Sequence, residues 1–538
     1  MILALFLLFA AAEPSPPPAV APSPAGAAPA AAQAVAGPAA APLSELLTRA
    51  RDRIEAGDRA AARAALDEAL RAYPASPAVR NFLGVLSASE GGYDEAERHF
   101  KAAVQRDPRY TDAWLNLGRL YQENAAKDAG APRKALAAYE SVLRFEPAHR
   151  DARFQSAALL QALGEFDRSQ AELARLPEED LEKPAALAVA CANLAARGAG
   201  TEADAAAEKM LAARSLTAED VRPVLPVLAA HGRDDLVVRM VETLRQKALA
   251  ESADLETLGG AYARQRQLPL AREALEAAAA SRPDDPALLL GLARVAYEQR
   301  DLEGALGYLG HARAVSPRDA RIHFFLGMVC VELDLGGEAY TALAEAVRLD
   351  PDNADANYAL GSVAVHRKDP SEAVPYFKRY AELRPGDYRG PYSIGVAHFL
   401  AKNYETARAE LLPFASRKET ASAANYLLAR IARAEGEDEE ALRLAQRAVE
   451  ADPRSADGLS ELGLLYQRLG QFDRAEEALK RCLEIDPDHY LGHLHLLMLY
   501  SRTKDPRQAA QQERFDALKK KRAEQAADFL RPVEIRPY

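Results

Sequence analysis

The sequence of 538 residues contains only three cysteines and one tryptophan, and aromatic residues make up 7% of it. Cys191, Cys330 and Cys482 are far apart and lack the CxxC and CxxCH spacings of metal, redox and haem-attachment sites. We therefore expect the cysteines to be small buried residues, and we predict no cofactor.

The sequence has no excess of basic charge, and the motifs of common enzymes are missing. Acidic residues outnumber basic ones by 79 to 68, and the one basic tract is residues 519–522. Nucleic-acid-binding proteins concentrate lysine and arginine on one surface, so we expect no nucleic-acid partner. The sequence contains no HExxH, GxSxG or Walker motif, and no GxGxxG placed between a strand and a helix. We therefore predict that the protein is not an enzyme.

The N-terminus begins with an apolar run at residues 2–9, followed by three alanines. This pattern is typical of a signal peptide with an A-x-A cleavage site, although no lysine or arginine precedes the run. The run is shorter than the roughly 20 apolar residues that span a bilayer. We predict a signal peptide over residues 1–12, a disordered Pro/Ala-rich linker over 13–42, and an exported, periplasmic or envelope-associated protein. Membrane contact is expected only through an uncleaved N-terminal segment.

A repeat of 34 residues organises the rest of the chain, which is rich in helix-forming alanine, leucine, arginine and glutamate. Alanine recurs with this period, at Ala271, Ala305, Ala339, Ala373, Ala407, Ala441 and Ala475. We call these residues the alanine position. A glycine or alanine lies twelve residues before each of them, at what we call the glycine position. The residue directly before the glycine position is the leucine position. The leucine position holds Leu258, Leu292, Leu326, Leu360, Ile394, Leu428 and Leu462. The composition predicts an all-α fold, and the fixed period predicts that it is built from stacked repeats.

The pattern resembles the tetratricopeptide repeat family. Trp114, Leu117, Gly118 and Tyr121 match the first-helix signature of that family residue for residue. The resemblance implies an α-solenoid, a superhelix of stacked helix-turn-helix repeats whose first helices line the concave surface. Because signature apolar positions are core positions, we interpret Trp114 as a packing residue rather than a binding residue.

The repeat frame also predicts how the chain is divided. Five extra residues around 124–131 are expected to lengthen the turn between the two helices of one repeat. The predicted segments are an N-terminal array at 43–177, degenerate repeats or a joint at 178–251, a regular array at 252–489, a degenerate repeat with a capping helix at 490–530, and an extended tail at 531–538.

A candidate binding surface comes from positions that the family signature does not require. Two residues before the leucine position, at what we call the aromatic position, four successive repeats carry an aromatic residue. With the residues that continue this stripe along the same helices, the predicted site is Leu290, Phe324, Met328, Tyr358, Tyr392, Phe399, Tyr426, Arg430 and Arg433. The resemblance places the stripe on the concave surface, where tyrosines suit recognition and arginines can bind an anionic group. Alternatively, these aromatics pack against the next repeat and meet no ligand.

We predict a non-catalytic scaffold or adaptor of the bacterial cell envelope that binds a protein partner, as an extended peptide segment, in the concave groove. A saccharide-binding or polysaccharide-export-associated scaffold is the alternative, because aromatic faces stack on sugar rings and the family includes polysaccharide-secretion proteins. The chain could also be the non-catalytic arm of an enzyme or exporter encoded elsewhere. His489 and His493 are four residues apart without an evident third ligand, so we predict no metal site.

Overall fold

The computed structural model describes residues 41–366 and 370–529, with side chains described as far as residue 521. The predicted signal peptide, the linker up to residue 40 and the tail at 531–538 lie outside the described residues. All regular elements within the described ranges are helical, which confirms the all-α prediction. None of the helices in these ranges combines the length and the apolar composition needed to cross a bilayer.

The chain forms two compact units, of which the first ends at Gln265 and the second begins at Arg266. The helices of the first unit are α1 (Leu43–Glu55), α2 (Arg59–Ala72), α3 (Pro77–Ser89), α4 (Tyr93–Arg106), α5 (Thr111–Glu123), α6 (Ala131–Phe145), α7 (Arg150–Ala162), α8 (Phe166–Leu173), α9 (Glu178–Leu181), α10 (Pro184–Ala196), α11 (Gly200–Ala212), α12 (Ala218–Val221), α13 (Leu225–Ala230), α14 (Asp234–Gln246) and α15 (Ser252–Arg264). Each regular repeat contributes a first and a second helix, such as α3 and α4. The turn between α5 and α6 spans residues 124–130, which confirms the lengthened turn.

The second unit continues the same alternation. Its helices are α16 (Leu268–Ala279), α17 (Pro286–Glu298), α18 (Leu302–Val315), α19 (Ala320–Glu332), α20 (Gly336–Leu349), α21 (Ala354–Ala364), α22 (Val374–Leu383), α23 (Arg389–Leu400), α24 (Tyr404–Leu411), α25 (Ala421–Glu435), α26 (Asp438–Ala451), α27 (Ala456–Arg468), α28 (Phe472–Ile485), α29 (Tyr490–Thr503) and α30 (Gln508–Phe529). Short 3₁₀ segments adjoin α22 and α24 at Pro370–Ala373 and Leu412–Phe414.

Helix boundaries follow from local sequence. Ser455 caps α27, since its Oγ accepts a hydrogen bond from the Gly458 amide at 3.1 Å. The turn after α27 contains Gly470 at φ +74°, a left-handed conformation that glycine adopts without steric cost. Pro487 follows the end of α28 by two residues, where its ring cannot continue the helix. The pair α27 and α28 therefore begins and ends where the repeat frame predicts.

The core confirms the frame as well. All seven residues at the alanine position are 0% exposed, and those at the leucine position are at most 7% exposed. The glycine position marks the closest approach of the two helices of a repeat. A Cβ atom on Gly463 would lie 2.5 Å from Cγ of Leu479, and one on Gly327 would lie 2.5 Å from Cγ of Leu343. Small residues are therefore required there by contact with the second helix.

The predicted degenerate segment 178–251 contains short helices between helices of ordinary length. A four-residue helix, α9, precedes the pair α10 and α11. Pro223 lies in a 3₁₀ segment, Arg222–Val224, and Pro226 lies in the first turn of α13. The two prolines remove backbone donors from what would be one continuous first helix, so the segment splits into α12, a 3₁₀ turn and α13.

Candidate functional site

The structure places the residues of the aromatic position on five successive first helices of the second unit. Leu290 lies on α17, Phe324 on α19, Tyr358 on α21, Tyr392 on α23 and Tyr426 on α25. All five side chains are half-buried. They therefore occupy equivalent places in their repeats, and their neighbours decide how much of each remains available.

Tyr358 is held by a cluster of aromatic and charged groups. Its ring centroid lies 4.9 Å from that of Tyr380 and 5.6 Å from that of Phe377, both on α22. The guanidinium of Arg389 lies 5.5 Å from the Tyr358 ring centroid and forms an ion pair with Asp387 at 2.7 Å. The Arg389 hydrogen bond is the main cause that lowers the pKa of Asp387. Arg389 is thus engaged in contacts within the protein.

Helix α23 carries two predicted site residues in different environments. Tyr392 meets Phe414 edge to face, with ring centroids 5.6 Å apart, and burial raises the pKa of the Tyr392 phenol. Phe399 is only 7% exposed and belongs to the hydrophobic core between its own repeat and the next. The stripe therefore enters the core at Phe399.

Arg430 brings two members of the predicted site together. Its guanidinium carbon lies 4.9 Å from the centroid of the Phe399 ring and 5.5 Å from that of Tyr426. Arg430 Nη1 also donates a hydrogen bond to Tyr426 Oη at 3.2 Å. Burial raises the pKa of Tyr426, so its hydroxyl stays protonated at neutral pH. The three side chains form a half-buried cation–π group.

Arg433 is paired with a buried carboxylate. Its Nε donates to Oε1 of Glu461 on α27, and the Glu461 side chain is 4% exposed. Removing a carboxylate from water is costly unless a cation accompanies it. Arg433 therefore compensates Glu461 and is not free to bind an incoming anion.

The most exposed part of the stripe lies on α19. Phe324 and Met328 are half-buried, and Val331, one turn further along, is 41% exposed. These three residues follow the i, i+4, i+7 spacing of one helix face. An apolar surface is thus available on α19, whereas the corresponding surfaces of α21, α23 and α25 are largely occupied by contacts within the protein.

A recurrent hydrogen bond was not predicted from the sequence. Three residues before the leucine position, a side chain donates to the carbonyl of the proline that closes the preceding repeat, over distances of 2.8–3.0 Å. The donors over these distances are Trp114, His323, Asn357 and His493, and Arg153 donates to the Pro147 carbonyl in the same way. The sequence signal for this hydrogen bond is a side chain with a donor group six residues after a repeat proline. Trp114 also packs on the hydrophobic clusters of two neighbouring repeats, in keeping with its interpretation as a packing residue.

The two histidines that the sequence considered as metal ligands are bonded within the protein. His489 Nδ1 accepts from the Gly492 amide at 2.9 Å, and its Nε2 lies 3.1 Å from Asp457 Oδ1. His493 Nε2 lies 2.9 Å from the Pro487 carbonyl oxygen, and its Nδ1 lies 2.8 Å from Gln511. Both histidine rings are therefore held by hydrogen bonds at the start of α29 and to side chains of other helices.

Comparison with family models agrees with the repeat frame. Models described as tetratricopeptide repeat match residues 47–91, 87–129, 126–194, 262–329, 337–388, 424–457 and 456–489. The chain belongs to the tetratricopeptide repeat family. Repeats of this family generally mediate contacts between proteins.

Individual tetratricopeptide relatives match only parts of the chain. Cellulose synthase 2 operon protein C of Komagataeibacter xylinus is 30% identical over 159 residues, which cover 26% of this chain and 12% of the relative. The BBSome complex member BBS4 of Bos taurus is 28% identical over 118 residues, or 22% of each protein. A chain in the crystal structure of the APC/C hetero-tetramer Cut9–Hcn1 is 14% identical in sequence to this protein, with a TM-score of 0.35. The match covers 86% of this chain and 97% of that one.

Proposed function

We propose that this protein is a non-catalytic adaptor that binds an extended peptide segment of a partner protein along the first helices of its second unit. The observation that carries the proposal is the apolar face of α19, where Phe324 and Met328 remain partly exposed and Val331 is 41% exposed. An exposed apolar stripe on a first helix can bind apolar side chains of a peptide, because each contact removes apolar surface from water.

The neighbouring repeats supply the edges of this site. Leu290 on α17 extends the apolar surface in one direction. In the other direction, Tyr358, Tyr392, Phe399 and Tyr426 are packed among their own neighbours, as are Arg430 and Arg433. The half-buried tyrosines can still offer a ring edge or a hydroxyl to a bound segment. We therefore place the centre of the proposed site on α19 and its periphery on α17, α21, α23 and α25.

Two valines of similar exposure provide a matched test. Val331 is 41% exposed on a first helix, and Val315 is 36% exposed at the end of α18, a second helix. Peptides that bind the full chain would be selected from a displayed random library, and their affinities measured for Val331→Ser and Val315→Ser. We expect Val331→Ser to weaken binding about tenfold, the loss of roughly 1.4 kcal/mol of apolar burial, while Val315→Ser has no effect.

Equal effects of the two substitutions, at unchanged melting temperatures, would refute the proposed face.

A saccharide is the second candidate ligand, supported by the cellulose synthase operon relative and by the partly exposed aromatic rings. Titration of the same chain with cello-oligosaccharides distinguishes the two. Binding of the sugar together with failure to select any peptide would replace the peptide proposal.

We also propose that the protein belongs to the bacterial envelope. The apolar run at residues 2–9 and the three alanines that follow it support export. Cell fractionation of the full chain and of a variant lacking residues 2–9 tests this. Export predicts that the full chain leaves the cytoplasm and that the deletion variant stays there, and equal distribution of the two would contradict it.

A further inference from the structure

A pocket in the first unit lies where one repeat departs from the frame. With the five inserted residues counted, the leucine position that holds Leu117 in one repeat holds Ser156 in the next. Ser156 lies on α7 and is 1% exposed, and its Oγ has no hydrogen-bond partner among the described residues. A buried hydroxyl without a partner is unusual in a folded protein and requires an explanation.

The substitution explains why a pocket forms. Leu117 is 2% exposed and belongs to the hydrophobic cluster that includes Phe100, Ala103 and Val104 of the preceding second helix, α4. The shorter Ser156 side chain cannot fill the corresponding space against α6. The result is a cavity of about 460 Å³ bounded by α6, α7 and α8, a size in the range of ligand pockets. Its lining includes Leu143, Arg144, Ser156, Leu160, Arg168 and Arg175.

The pocket carries an excess of positive charge, although the whole chain has a net charge of −11. Four arginines and two glutamates line it. Arg153 and Arg175 both pair with Glu172, and Arg168 pairs with Glu140 at 2.8 Å. The remaining arginine, Arg144, is exposed and has no ion pair or hydrogen bond among the described residues. An unpaired guanidinium and an unpartnered hydroxyl that line the same pocket favour a ligand with acceptor oxygens.

We propose that this cavity, the Ser156 pocket, binds the carboxylate side chain of an acidic segment in a partner protein. The guanidinium of Arg144 offers the planar pair of donors that matches a carboxylate, and the Ser156 hydroxyl supplies a third donor at the floor. Leu143 and Leu160 line the pocket beside these groups and suit the methylene groups of a glutamate stem. This surface belongs to the first unit, so it is separate from the α19 face of the second.

The test uses the full chain and a blocked hexaglutamate peptide, with hexaglutamine and inorganic phosphate as comparison probes, by isothermal titration calorimetry. Ser156→Leu restores the residue type of the regular repeats. We expect it to preserve or raise the melting temperature while weakening hexaglutamate binding at least tenfold. Arg144→Gln should weaken binding similarly. Arg106→Gln, which removes an exposed arginine at the end of α4 outside the pocket, should bind as the unmodified protein does.

Several results would overturn the proposal. These are an absence of hexaglutamate binding, binding that Ser156→Leu and Arg144→Gln leave intact, or an equal loss in Arg106→Gln, which would indicate general charge attraction. Phosphate that binds as tightly as hexaglutamate would instead assign the pocket to a small free anion. If Ser156→Leu lowers the melting temperature, Arg144→Gln decides alone, because it changes an exposed side chain.

Discussion

His495 should make the second unit sensitive to acid. The residue lies in the middle of α29 and is 7% exposed. Its Nδ1 lies 3.0 Å from Oγ and 3.2 Å from the carbonyl oxygen of Ser460, which is itself 2% exposed. Burial lowers the pKa of His495 to about 4, and the positive charges of Arg433, His489 and Arg430 act in the same direction. The imidazole therefore remains neutral in the folded protein.

The pKa values of His495 in the folded and in the unfolded chain determine how the unfolding free energy depends on pH. In the unfolded chain the histidine has its ordinary pKa of about 6.5, so unfolding takes up a proton at any pH between about 6.5 and 4. The stabilisation is complete above pH 6.5 and is lost as the pH falls through this window. At about 1.4 kcal/mol per pH unit, roughly 3 kcal/mol of unfolding free energy should disappear by pH 4.

Urea unfolding of the full chain and of His495→Gln, at pH values from 7 to 4, measures the effect. Glutamine keeps a donor for the Ser460 carbonyl but does not titrate. Every other carboxylate and histidine titrates in both proteins, so the difference between their unfolding free energies isolates His495. We expect the unfolding free energy of the unmodified protein to exceed that of His495→Gln by less, or to fall below it, as the pH decreases. A difference that stays constant across this range would show that His495 is not a buried neutral base.

Two further substitutions test packing and charge burial. Ala339→Leu adds a large side chain at a fully buried alanine position and should destabilise the fold by about 1–3 kcal/mol, so an unchanged melting temperature would contradict the frame. Arg433→Ala leaves the buried Glu461 without its cation and should cost about 3–5 kcal/mol in urea unfolding. Arg300→Ala, whose pair with Glu332 is exposed, should cost less than about 1 kcal/mol, and equal losses would show that burial does not decide the cost.

The fold was predictable because the period of 34 residues converts sequence positions into spatial ones. Leu326 and Ala339 are buried because each repeat places the same positions against the same neighbours. The division between the two units, after Gln265, was not predictable in this way. Leu258 before it and Ala271 after it both keep the frame, so the repeat pattern contains no signal for the break.

The repeat frame predicted which residues lie at equivalent places on the first helices, but not which of them are exposed. The aromatic position holds one residue on each first helix from α17 to α25. Whether each is free depends on side chains that the position itself does not specify. Tyr392 is covered by Phe414, the last residue of the 3₁₀ segment Leu412–Phe414, and Arg433 is paired with Glu461 in the next repeat. Such partners vary between repeats, so the 34-residue pattern cannot predict them.

A repeat position that performs packing everywhere has little capacity left for binding, so ligand contacts must depend on departures from the pattern. Five residues after the leucine position, Val331 is 41% exposed, Phe399 is 7% exposed and Arg433 is ion-paired. Equivalent places in three repeats therefore present an apolar surface, a core residue and a compensated charge. Ser156 shows the converse, since a shorter side chain at a packing position lines a cavity. Partner specificity in this array should follow these local exceptions rather than the regular repeats that hold them in place.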